Sequence, residues 1–143
     1  MSEVIYVATY GSLRRGQANY LVNDRAGAKS IGEGWTEDNF DLFRYGGSYF
    51  PSISLAHSNN NKPVRVEVFA TDKAGLEGPY DRLEGYNKRS PEDSFYQRTQ
   101  IAVKLDSGET IIAWIYHIDE EQDVLVESGD WTAYLAGEQD DSN

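Results

Sequence analysis

The sequence predicts an α+β domain built round a strongly curved or closed, mostly antiparallel sheet. Three observations carry this. Val64-Arg65-Val66-Glu67-Val68-Phe69-Ala70 alternates cleanly, so Val64, Val66, Val68 and Ala70 share one face of a strand. Phe95–Leu105 and Thr110–His117 flank Asp106-Ser107-Gly108, the pattern of an antiparallel hairpin. About seven strand-like segments are joined by short connections and only two or three short helical ones, with no repeating βα unit. That mixed order argues against a Rossmann or a TIM-barrel architecture.

Taken in order, Met1–Tyr10 reads as the first strand. Gln17–Val22 reads as a short helix with Tyr20 and Leu21 inward, stopped by Asn23-Asp24 and Gly27. Ala28–Trp35 is a strand that Gly32 and Gly34 weaken or bulge. Asp38-Asn39 turns the chain into a strand over Phe40–Tyr45. A Gly46-Gly47-Ser48 loop and Tyr49-Phe50-Pro51 lead into a short strand, Ile53–Ala56, and Ser58–Lys62 is an exposed turn. Thr71-Asp72 caps a helix, and Leu76, Tyr80 and Leu83 are spaced four and three apart as one helical face requires. Pro79 interrupts this run. The expectation is a loop or single turn up to Gly78, then a helix with Pro79 in its first turn. Asn87–Ser94 is a polar loop, Val124–Val126 a short element in an acidic stretch, and Asp130–Leu135 a last helical turn. Residues 1–137 form one domain, and 138–143 an acidic, frayed tail.

Composition narrows the functional classes. A chain of 143 residues buries a real core without staples. It has no cysteine, which excludes disulfides, thiolate metal sites and cysteine nucleophiles. Two histidines, His57 and His117, do not make a histidine-rich zinc site, and neither shows a partner pattern. The net charge of -11 argues against nucleic acid and anionic membranes as partners. No apolar run approaches the length of a membrane span, so the expectation is a soluble, cytoplasmic protein.

Two places carry chemistry. Val4–Tyr10 runs into Gly11-Ser12, and a strand ending in a tight glycine turn leaves backbone N–H groups free to hold an anion or a developing oxyanion. An ordinary strand-to-helix turn is the other reading, since neither phosphate-loop nor dinucleotide-binding glycine spacing is present. Ser12 as a nucleophile would need a G-x-S-x-G elbow, which Tyr10-Gly11-Ser12-Leu13 does not supply. Glu84, in Asp81-Arg82-Leu83-Glu84-Gly85-Tyr86, stands at a helix end between apolar Leu83 and aromatic Tyr86. Apolar neighbours and the negative end of a helix both raise a carboxylate's pKa, as a general base near neutral pH requires; a solvated helix-end glutamate is the bland alternative. Arg98 fits either a bidentate hold on a carboxylate or an ion pair with one of 24 acidic residues. Trp114 and Tyr116 share a strand face, as core or with the Tyr116 hydroxyl offered to a pocket. The acidic clusters at Asp119-Glu120-Glu121 and Asp140-Asp141 lack calcium-loop spacing.

Together these pieces resemble the gamma-glutamylcyclotransferase-like family, in particular its AIG2-like, gamma-glutamylamine cyclotransferase branch. The matching pieces are Tyr10–Gly16 with Asn19, Phe40–Phe43, Tyr49-Phe50-Pro51, Val66–Phe69, Asp81–Tyr86, Tyr96-Gln97-Arg98, Ala113–Tyr116 and Ser128–Trp131. The resemblance implies a small β-barrel-like sheet flanked by short helices. It implies a pocket between the Tyr10–Leu13 loop, whose backbone N–H groups hold the γ-glutamyl part, and Glu84, which moves protons. The substrate's own α-amine would attack its γ-carbonyl, releasing 5-oxoproline and an amine or amino acid with no cofactor or metal. Tyr10, Gly11, Ser12, Leu13, Arg98 and Tyr116 are then the binding residues and Glu84 the catalytic one, with a small γ-glutamyl amide or amine as the partner. Gly78-Pro79-Tyr80 departs from the smooth apolar lead-in expected before Asp81, and residues 86–95 are long and charged. The competing reading is a non-catalytic or divergent metabolite-binding protein that uses the same pocket.

Overall fold

The computed structural model describes residues 4–11, 22–45, 51–120, 122 and 124–134. Among them are eight strands: β1 (Ile5–Thr9), β2 (Lys29–Thr36), β3 (Asp41–Arg44), β4 (Pro51–Ser54), β5 (Arg65–Thr71), β6 (Gln97–Leu105), β7 (Thr110–His117) and β8 (Val124–Leu125). Five close into a barrel in the order β1-β5-β2-β6-β7, and β4-β3-β8 form a separate three-stranded sheet. Closure falls to β1. It runs antiparallel to β5 from Ile5↔Thr71 to Thr9↔Glu67, and parallel to β7 at Val7↔Trp114 and Ala8↔Ile115. The expected hairpin is β6–β7, in register from Gln97↔His117 to Lys104↔Thr110. The expected irregularity in β2 is a register shift against β5 between Ser30 and Gly32. The helix expected over Gln17–Val22 lies outside the described residues except for its last residue, which opens α1 (Val22–Arg25). The Gly46–Ser48 loop and the 138–143 tail also lie outside them.

The period of two along each strand sorts side chains to the two sides of the barrel wall. Ile111, Ala113 and Ile115 of β7 join Ala8, Val66, Val68, Val103 and Leu105 in the main core. Tyr116 lies on the other side of the wall, in a second core with Val7, Ala26, Leu76, Tyr80, Tyr96 and Ile118; Trp114 packs against it. Each fully buried aliphatic or aromatic side chain contributes about 1.5–3 kcal/mol. A one-residue slip of β7 would exchange the two sets, so register is strongly specified. The second core exists because a helical segment lies over this arc, and that segment carries the candidate site.

The segment follows β5. Asp72 caps it by accepting from the Gly75 N–H at 2.9 Å. A short α2 (Lys73–Gly75) runs into a π-turn at Leu76–Tyr80 and then α3 (Asp81–Glu84). This corrects the expected break at Gly78, because the helical path is continuous through Pro79. Proline has no N–H to give and its ring clashes with the carbonyl four residues back. The turn widens instead, and the Asp81 N–H reaches the Leu76 carbonyl, an i→i−5 bond. The extra residue rotates everything downstream by roughly 100°. Leu76 and Tyr80 are buried as their spacing requires, but Leu83 is turned out, 38% exposed, and Asp81 is turned in, 4% exposed. Glu84 takes the angular position that Leu83 would have held in an unbroken helix.

Candidate active site

α3 stops at Gly85, whose φ of 65° and ψ of 32° belong to the left-handed region that glycine enters without strain. Glu84 is therefore the last helical residue, and it is partly buried. Among the described residues no hydrogen bond or ion pair reaches its carboxylate. Burial pushes that carboxyl up to about 7.

Three tyrosines surround it electrostatically. Tyr10, at the end of β1, donates to the Tyr116 carbonyl at 2.6 Å and accepts the Ile53 N–H at 3.4 Å. Tyr96 donates to the Pro51 carbonyl at 2.9 Å, and Tyr116 donates to Asp81 Oδ1 at 2.5 Å. All three hydroxyls are held above their usual pKa, by burial first and with the Glu84 charge among the further causes. Near neutral pH Glu84 is thus the member of this group that exchanges a proton.

Gly11 and Pro51 connect the end of β1 to this cluster. A Cβ on Gly11 would stand 2.6 Å from Pro51 Cγ, so a larger residue forces the two segments apart. Pro51 in turn receives the Tyr96 hydroxyl. Tyr10 belongs to the main core, and the Tyr10-Gly11 corner is linked through Pro51 to Tyr96 of the second core; the Glu84 charge reaches both tyrosines. Ser12 and Leu13 lie outside the described residues.

Asp81, three residues before Glu84, has the opposite environment. Arg98 Nε donates to Asp81 Oδ1 at 3.0 Å, and the two side chains are 8% and 6% exposed. The Arg98 guanidinium lies 4.5 Å from the Tyr86 ring centroid and 4.6 Å from that of Trp114. Arg98 thus meets both expectations on one partner: it forms an ion pair with Asp81 and holds that carboxylate with two nitrogens, Nη2 donating to Oδ2 at 3.4 Å. Likewise the Tyr116 hydroxyl points at Asp81, and Trp114 covers Arg98. Both residues hold α3 in place.

Sequence reasoning did not single out Asp81, Pro51 or Tyr96 as parts of the site. The i, i+3 spacing of Asp81 and Glu84 was a usable signal for the first. His117, read as having no partner, is buried with Nδ1 2.8 Å from Asp119 Oδ1 and Nε2 2.8 Å from Thr99 Oγ1. Asp119 also accepts the Leu55 N–H at 2.8 Å, tying the end of β7 to β4. His57 Nδ1 lies 2.7 Å from Ser54 Oγ.

Comparison with known proteins bears on this geometry. A family model described as gamma-glutamyl cyclotransferase, AIG2-like, matches residues 7–133. The chain is 35% identical over 133 residues to a protein of Methanocaldococcus jannaschii provisionally named gamma-glutamylcyclotransferase, covering 90% of this chain and 97% of that one. It is 29% identical over 123 residues to a Drosophila melanogaster protein given the same provisional name, covering 84% and 73%. Its fold matches that of a mouse AIG2-like protein with a TM-score of 0.68 at 23% identity, over 83% of this chain and 80% of that one. No helix among the described residues is long and apolar enough to cross a membrane.

Proposed function

As this chain belongs to the gamma-glutamyl cyclotransferase, AIG2-like family, we propose that it is a cytoplasmic enzyme converting a γ-glutamyl amide or amine into 5-oxoproline and a free amine. The observation that carries the reading is Glu84: a carboxyl raised to about 7, without a described partner, and within electrostatic reach of Tyr10 at the end of β1. In this reading the corner and the following Ser12 and Leu13 hold the γ-glutamyl part through backbone N–H groups.

The reaction needs a base for an ammonium, an acid for a leaving nitrogen and a folded substrate. Glu84 takes a proton from the α-ammonium, and the freed amine attacks the γ-carbonyl carbon. The tetrahedral oxyanion is met by backbone donors of the loop. Glu84 returns the proton to the leaving nitrogen as the C–N bond breaks. The remaining extra proton on the ring nitrogen passes back to the carboxylate and then to solvent. Raising the carboxyl from 4.5 to about 7 removes roughly 3 kcal/mol from the first proton transfer, since each pKa unit is about 1.4 kcal/mol. The attack is intramolecular, so the protein's main task is to hold the substrate in its cyclising rotamer. Asp81, Arg98 and Tyr116 act on this chemistry by fixing α3, and Tyr10 by fixing the corner.

The test is 5-oxoproline release from a panel of γ-glutamyl amides. The wild type turns over at least one member, and Glu84→Gln, folded by circular dichroism, turns it over at least about a hundredfold more slowly. Full activity in that variant removes Glu84 from the mechanism. A wild type inert on the whole panel removes the activity.

A further inference from the structure

We propose that Thr99, His117 and Asp119 form a second catalytic site, a hydroxyl nucleophile with its base and orienting carboxylate, which takes the acyl group of a small uncharged ester onto Thr99 and hydrolyses it. The site does not use Glu84 and is independent of the cyclotransferase reading.

The strands set up the pair. Thr99 of β6 lies opposite Ile115 of β7, and Gln97 lies opposite His117. Thr99 and His117 are therefore diagonal neighbours on the face of the wall that carries Ile115 and the main core. Arg98, one residue before Thr99, points to the other side and reaches Asp81. The two rows on the main-core face end differently. On β6, Val103 and Leu105 are buried, Ile101 is partly buried and Thr99 is exposed. On β7, Ile111, Ala113, Ile115 and His117 are all buried. Thr99 is thus open to solvent where its row leaves the core, while the imidazole beside it is closed off.

The hydrogen-bond partners assign the protons. Nδ1 of His117 is 2.8 Å from Asp119 Oδ1, and the same oxygen accepts the Leu55 N–H at 2.8 Å. Asp119 is an acceptor toward the ring, so Nδ1 carries the hydrogen of the neutral imidazole. The lone pair is then on Nε2, which lies 2.8 Å from Thr99 Oγ1, and the hydroxyl donates to it. Nucleophile, base and orienting group stand in the order that general-base activation requires. The other hydroxyl–histidine pair lacks that order. Ser54 is fully buried, and the His57 ring meets no carboxylate among the described residues.

Thr99 Oγ1 attacks the ester carbonyl carbon while its proton passes to Nε2. The bond to the leaving oxygen breaks and that oxygen takes the proton, giving acyl-Thr99 and a free alcohol. Water then attacks the acyl carbon and gives a proton to Nε2. Thr99 leaves with that proton, and the carboxylic acid departs. Asp119 stabilises the imidazolium between transfers. The net charge of -11 and the carboxylate of Asp119 favour an uncharged ester over an anionic one.

The experiment treats the full chain with p-nitrophenyl acetate and reads p-nitrophenol release above the buffer rate, together with peptide mass mapping. The wild type turns the ester over and carries acetyl on the peptide that contains Thr99. Thr99→Ser keeps both. Thr99→Val loses the adduct and lowers release at least about a hundredfold, as does His117→Gln folded by circular dichroism. Asp119→Asn, at an exposed position, lowers release at least about tenfold and tests the relay where His117→Gln does not fold. No acetyl on Thr99 in the wild type, or release unchanged in Thr99→Val, overturns the site. Full activity in folded His117→Gln or in Asp119→Asn overturns it as well.

Discussion

The two ends of α3 carry carboxylates three residues apart in opposite situations. Asp81 is buried and answered on every side the structure describes: Arg98 at 3.0 Å, the Tyr116 hydroxyl at 2.5 Å, and aromatic rings over Arg98. Glu84 is partly buried and receives no such partner among the described residues, so burial raises its carboxyl to about 7. The difference teaches that burial alone does not decide what a carboxylate does. A paired one becomes a structural fixture, because removing its partner would leave an uncompensated buried charge. An unpaired one becomes a proton carrier, because neither state is strongly preferred near neutral pH. Holding the first rigidly is what allows the second to be left unsatisfied.

That contrast breaks most sharply at Glu84. Glu84→Gln lowers turnover by about 10²–10⁴-fold, the usual contribution of a positioned acid–base group, with the fold retained. Asp81→Asn does the reverse in kind. Removing one partner of a buried pair costs about 3–5 kcal/mol, seen as a lower denaturation midpoint, and activity falls only as far as α3 loosens.

The pH dependence of stability separates the two ends further. Because burial raises the Glu84 pKa in the folded protein, the folded state binds the proton more tightly than the unfolded one between pH 4.5 and about 7. Glu84 therefore contributes no penalty below pH 4.5, and destabilises increasingly as pH rises, to roughly 3 kcal/mol above pH 7. Glu84→Gln is accordingly more stable than the wild type at pH 8, and the two converge at pH 4. Urea titrations at both pH values check this. The smallest effect is at Tyr116→Phe, which deletes one hydrogen bond to Asp81 and costs about 1–2 kcal/mol at all these pH values.

The sequence made the barrel strands legible because their signal is local. Val66 and Val68 alternate with polar neighbours, and Asp106-Ser107-Gly108 is turn chemistry that any hairpin uses. Barrel closure was not legible from pattern, since the parallel pairing of β1 with β7 joins residues more than 100 positions apart in the chain. Glu84 was legible as a candidate from its neighbours, but not the way it is presented. Spacing put Leu83 on the inner face, and only the π-turn at Pro79 exchanges Leu83 for Glu84. Arg98 was ambiguous because its partner lies across the fold, 17 residues away, and many acids were available. Gly11 read as part of a tight turn at a strand end, whereas its place is set by the proximity of Pro51.

The central claim is that Glu84 moves the protons of the cyclisation with a carboxyl poised near neutrality. It is tested most directly by the pH profile of kcat/KM for 5-oxoproline release by the wild type. The account predicts a one-proton rise with its midpoint near pH 7, as Glu84 becomes the free base. A rise complete by pH 5, with a flat profile above it, would contradict it, because the base would then be an ordinary solvated carboxylate.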